Sequence, residues 1–78
     1  MPKLRTIKPE KLIKIIEKLG FIQARQVGSH KNFEHLDGRK TTVPFHPGKE
    51  IGVSLLNKII KKDLKISREE FFKLLEQV

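Results

Sequence analysis

The sequence predicts an α+β fold: one helix, a three-stranded antiparallel sheet, then one or two C-terminal helices, with the helices packed on one sheet face. Three observations predict it. Apolar residues recur at helical spacing from Pro9 to Leu19 and again after Gly48, and the middle third loses that period. Within that third an Asp-Gly pair marks a hairpin. At 78 residues the chain is read as one domain, residues 1–78, because a domain takes about 100–200 residues. A core this small hides only about 60–65% of the unfolded surface, so its stability margin is thin.

The first helix spans Pro9 to Leu19. Leu12, Ile13, Ile15, Ile16 and Leu19 form its apolar stripe, Pro9 suits a first turn, and Gly20 stops it. Its other face, Lys11, Lys14, Glu17 and Lys18, is mostly cationic. Two strands follow, Phe21 to Val27 and His30 to Leu36, separated by Gly28-Ser29. Asp37-Gly38 is read as a two-residue turn, which sets Leu36 opposite Arg39, Asn32 opposite Val43 and His30 opposite Phe45. This register turns His30, Asn32, Glu34, Leu36, Thr41, Val43 and Phe45 toward the helices. Lys31, Phe33, His35, Lys40 and Thr42 take the other face.

Pro44-Phe45-His46-Pro47-Gly48 ends the sheet, since proline offers the ladder no donor. Ile51, Leu55, Leu56, Ile59 and Ile60 then return to helical spacing, up to a polar break at Lys61-Lys62-Asp63. Ser67-Arg68-Glu69-Glu70 is a capping box, with Ile66 positioned to staple onto Phe71. Phe71, Phe72, Leu74, Leu75 and Val78 make the buried stripe of the last helix.

Charge narrows the function. Lys and Arg number 17 against 9 Asp and Glu, a formal charge of +8. Residues 1–33 carry eight basic and two acidic side chains, residues 34–78 nine and seven. The N-terminal half therefore holds the field, and an anionic partner is expected. The chain has no Cys, so disulfides, thiolate nucleophiles and cysteine-held metals are excluded. No apolar run is long enough to cross a membrane and no signal-peptide pattern opens the chain, so a cytoplasmic location is expected.

His30, His35 and His46 are the side chains suited to proton transfer near neutral pH. His30 and His35 are an odd number apart on a strand and face opposite ways, and no metal-ligand spacing is present, so no metal or other cofactor is expected. Ser29 adjoins His30 but points away from it, and no nucleophile elbow or phosphate-cradling glycine loop occurs. An imidazole after a glycine turn on a cationic chain suits attack by an RNA 2′-hydroxyl on its own phosphodiester. His30 would take the proton, Gly28 would supply the turn, and Lys31, Arg39, Lys40 and Lys49 would neutralise the phosphate. The residues alone favour a structural His30 at a strand start and go no further than a basic RNA or DNA binder. A basic helix lying on an anionic membrane is the weakest reading, because the stripe of the first helix is needed in the core.

Gly20-Phe21, Arg25-Gln26, Gly28-Ser29-His30, Val43-Pro44-Phe45-His46 and Lys49-Glu50, in that order, resemble the HicA toxin family from about Pro9 through Phe71. The resemblance implies a double-stranded-RNA-binding-domain-like fold. It also implies a metal-independent mRNA interferase of a type II toxin–antitoxin pair, whose partners are mRNA and a HicB-like antitoxin that masks the active site. It makes His30 the essential residue, leaves His46 as a secondary contributor among the RNA contacts or a structural loop residue, and leaves Ser29 as an RNA contact or a turn residue. His35 is read as structural. The family often has a glycine just before the last helix, where this chain has Lys65.

Overall fold

The computed structural model describes residues 3–78. Helix α1 spans Pro9–Lys18, and the strands are β1 (Ile22–Val27), β2 (His30–Glu34) and β3 (Lys40–Pro44). Helix α2 (Val53–Lys58) runs directly into a π-wound segment, Ile59–Leu64, and α3 (Arg68–Gln77) follows. The sheet is antiparallel in the order β1-β2-β3. This is the expected α+β order, consistent with a double-stranded-RNA-binding-domain-like fold.

Helix α1 forms as its pattern predicts. Pro9 occupies the first turn, Leu12, Ile15 and Ile16 are fully buried, and Gly20 takes φ 100° just beyond the C-cap. Gly28-Ser29 closes β1 onto β2 with Val27 opposite His30. Gly28 has φ 59° and Ser29 a negative φ, the pattern of a type II′ turn. A bulge between Gln23 and Arg25 bends β1.

The second hairpin overturns the expected register. His35 N–H donates to the Arg39 carbonyl at 2.9 Å, and Gly38 N–H donates to the His35 carbonyl at 3.0 Å. The loop is therefore three residues, Leu36-Asp37-Gly38, with Gly38 at φ 99°. Such a loop is a type I turn followed by a left-handed residue. Every β2–β3 pair slips by one: His30 faces Pro44, Lys31 faces Val43 and Phe33 faces Thr41. Phe33, assigned to the outer face by the Asp-Gly argument, is 1% exposed in the core beside Val43 and Thr41, while Leu36 is 99% exposed. Burying a Phe contributes about 1.5–3 kcal/mol. The two-residue turn would instead have turned Asn32 and Glu34 inward.

Two further expectations are corrected. Ile51 lies outside the helix, where it exchanges backbone hydrogen bonds with Ile7. Lys61-Lys62-Asp63 is no break, because Leu64 is fully buried and draws the helix on by another turn while both lysines face water. The chain turns instead at Lys65, whose φ 54° and ψ 46° are left-handed. Ile66 N–H then closes back on the Ile60 carbonyl at 3.2 Å. Helix α3 starts as predicted, with Ser67 Oγ accepting from Glu70 N–H at 3.1 Å. Its stripe is less covered than expected: Phe71 is buried, but Phe72, Leu74, Leu75 and Val78 only partly.

Candidate active site

Two glycine turns bring separate parts of the chain to one corner. Gly28 opens the first, and His30 follows as the first residue of β2 with its side chain exposed. The second turn is His46-Pro47-Gly48-Lys49. Lys49 N–H donates to the His46 carbonyl at 3.1 Å and Gly48 takes φ 79°. Proline followed by a left-handed glycine is the signature of a type II turn.

Three contacts join the turns. Phe45 N–H donates to the Ser29 carbonyl at 2.6 Å. Ser29 Oγ lies 3.4 Å from His46 Nε2. Lys31 Nζ stands 4.1 Å from the Phe45 ring centroid, within cation–π range. The Gly28-Ser29-His30 and Val43-Pro44-Phe45-His46 elements therefore form one structure, although they are separate in sequence.

The register places His30 on the outer sheet face with Asn32, Glu34, Lys40, Thr42 and Pro44. It borders a depression of about 400 Å³ that also takes in Lys40 and Thr42 from β3 and Leu55 and Lys58 from α2. An exposed imidazole and two ammonium groups thus border the same hollow, together with the Asp63 carboxylate, which accepts from Thr41 Oγ1 at 2.9 Å. Lys40 pairs with Glu34, four residues along β2 from His30, so it lies roughly 13 Å away at ~3.3 Å per residue. Lys58 and Leu55 were not anticipated as site residues. Their spacing marks them only as helix, and one lysine on a solvated helix face carries no signal until the sheet is placed beside it.

Arg39 is not brought to this corner. It pairs with His35 at the far end of the hairpin, and its guanidinium is committed there. Nε donates to Asp37 Oδ2 at 2.8 Å, Nη1 donates to the Leu64 carbonyl, and the group lies 5.2 Å from the Phe21 ring centroid. Lys49 shares the His46 turn but borders a different hollow, with Lys8 and Glu10.

His35 is held by the fold. Its Nε2 lies 3.1 Å from the Leu19 carbonyl, and Nδ1 lies 3.1 Å from the Asp37 amide nitrogen. Its ring meets Phe21 edge-on at 5.0 Å. Nδ1 also lies 3.1 Å from Asp37 Oδ1. Asp37 Oδ1 accepts from Arg39 N–H, and this bond holds the Asp37 carboxyl below its usual range against the opposing effect of desolvation. The Arg39 side-chain hydrogen bond and the Arg39 and His35 charges add to the lowering. Among the described residues no three His, Cys, Asp or Glu side chains are grouped to hold a metal ion.

Fold and site together define a class: a small basic α+β protein with double-stranded-RNA-binding-domain-like topology and an exposed imidazole at a glycine turn beside lysines. A family model described as HicA toxin of bacterial toxin-antitoxin matches residues 9–66, which include the whole corner. The chain belongs to the HicA toxin family, and its role is that of a toxin paired with an antitoxin. No curated protein matches it. Among the described residues no helix is long and apolar enough to cross a membrane.

Proposed function

We propose that this toxin is a metal-independent endoribonuclease, an mRNA interferase acting in the cytoplasm, with His30 as general base and a HicB-like antitoxin as its inhibitor. The observation that carries the reading is the exposed His30 imidazole at the Gly28 turn, bordering the same hollow as Lys40 and Lys58. His30 takes the proton of a ribose 2′-hydroxyl, and that oxygen bonds to the adjacent phosphorus. The bond from phosphorus to the 5′ oxygen breaks, leaving a 2′,3′-cyclic phosphate and a 5′-hydroxyl. The departing oxygen takes a proton from water, since Lys31 sits on the opposite sheet face from His30 with its ammonium over the Phe45 ring. Lys58 neutralises the phosphate, Lys40 farther along the sheet meets a neighbouring one, and His46 steadies the corner through Ser29. A HicB-like antitoxin silences the toxin by covering this corner.

The test is cleavage of single-stranded message in EDTA. Cyclic phosphate ends are expected; uncut RNA, or a requirement for Mg²⁺, overturns the reading. His30→Ala should slow cleavage by about 10²–10⁴, the usual worth of a general base, with circular dichroism and RNA affinity unchanged. The charge of +8 serves a non-catalytic RNA-binding module equally well, and turnover separates the two.

A further inference from the structure

A second surface shares no residue with the His30 hollow. It is a groove of about 640 Å³ between the segment leading into α1 and the outer side of α3. Its floor is Ile7, Phe71, Phe72 and Leu75. Phe72 and Leu75 are only partly buried and lie three apart on α3, so they form a ridge that the chain's own core leaves uncovered. The rim is cationic: Lys3, Arg5, Lys8 and Lys11 border the groove, all exposed. Two carboxylates also border it, Glu50 and Glu76, and Glu50 already accepts a hydrogen bond from the Thr6 hydroxyl.

We propose that this groove seats an acidic amphipathic helix from a partner polypeptide. An apolar floor between positive rims is complementary to a helix with apolar side chains on one face and carboxylates flanking them. The side-chain ridges of one helix pack into the grooves of another, and Phe72 and Leu75 supply such a ridge. RNA fits this surface less well. Aliphatic Ile7 and Leu75 offer a phosphate nothing, and stacking of bases needs exposed aromatic faces in series. The groove excludes His30, so the inference stands or falls apart from any ribonuclease activity.

The test is an amide chemical-shift titration of the intact protein with a stapled helical peptide bearing Leu on one face and Glu along both margins. Shifts centred on Arg5, Lys8, Lys11, Phe72 and Leu75 are expected, with affinity falling as salt rises. The double variant Lys8→Glu, Lys11→Glu should weaken binding by about tenfold or more. The same titration shows whether that variant remains folded. A matched peptide with Lys in place of Glu should not bind. Shifts that map instead to His30 and Lys40, equal binding of the Lys peptide, or stronger perturbation of the groove by an RNA oligomer would overturn the proposal.

Discussion

A Cβ built on Gly20 would lie 3.0 Å from His35 Nε2 and 3.4 Å from Cδ2 of the same ring. The glycine that ends α1 therefore also clears space for the imidazole that ties the second hairpin to the Leu19 carbonyl. Gly20→Ala adds a methyl group into that contact at a φ of 100°. It should cost about 1–3 kcal/mol, read as a fall in urea midpoint. His35→Ala in the same background should recover the steric part and leave the backbone part. Neither change should alter cleavage per folded molecule, because His35 lies outside the candidate site.

The hairpin register has its own test. Phe33→Ala should destabilise by about 3–5 kcal/mol, enough to unfold much of so small a protein. Leu36→Ser should stay within about 0.5 kcal/mol of the parent. A reversal of these two results in thermal melts would restore the two-residue turn.

Lys65 occupies a left-handed conformation that costs a side-chain-bearing residue roughly 1–2 kcal/mol and a glycine little. Lys65→Gly should raise stability by about 1 kcal/mol and Tm by about 4–8 °C. A lower Tm would show that the lysine side chain contributes something the backbone argument omits.

Two cations should separate by role. Lys58→Ala should weaken binding to single-stranded RNA and reduce the salt slope by about 0.7, with the melting curve unchanged. Arg39→Lys should leave the slope alone and lower stability by about 1–2 kcal/mol, through loss of its bonds to Asp37 and the Leu64 carbonyl. A shared pattern for both variants would contradict the separation.

Asp37 sets a pH dependence. Its folded-state pKa is lowered, chiefly by the Arg39 backbone N–H. Its stabilisation is therefore complete above the unfolded carboxyl value of about 3.9. It is lost as pH falls through the lower folded value. Asp37→Asn keeps an acceptor for Arg39 N–H but removes the titration, so its stability should decline less steeply below about pH 4. Parallel acid-unfolding curves would remove Asp37 from the account.

Much of the fold was legible because its signals are local. The α1 stripe with Pro9 and Gly20 at its ends, and the Ser67 cap, each need only a few neighbouring residues. The candidate site was legible in part for the same reason: Gly28 announces a turn that His30 follows, and Pro44 and Pro47 end the sheet. Asp37-Gly38 misled because Asp-Gly also suits a longer loop when the aspartate caps Arg39 N–H, and Phe33's burial chose that loop. The break after Asp63 was misplaced because Lys61 and Lys62 are polar, whereas Leu64, one residue later, is what the core takes up.

From its residues alone the chain determined its element order, its cationic character and the turn that carries His30, because dihedral preference, capping and apolar period act over a few positions. Only the tertiary structure decided which sheet face meets the helices, that Ser29 reaches His46, that Lys58 borders the hollow beside His30 and that Arg39 is withdrawn to a structural post. Those outcomes depend on a one-residue choice of strand pairing and on the packing of elements far apart in the chain. They are settled by which arrangement buries Phe33, Val43 and Leu64 together.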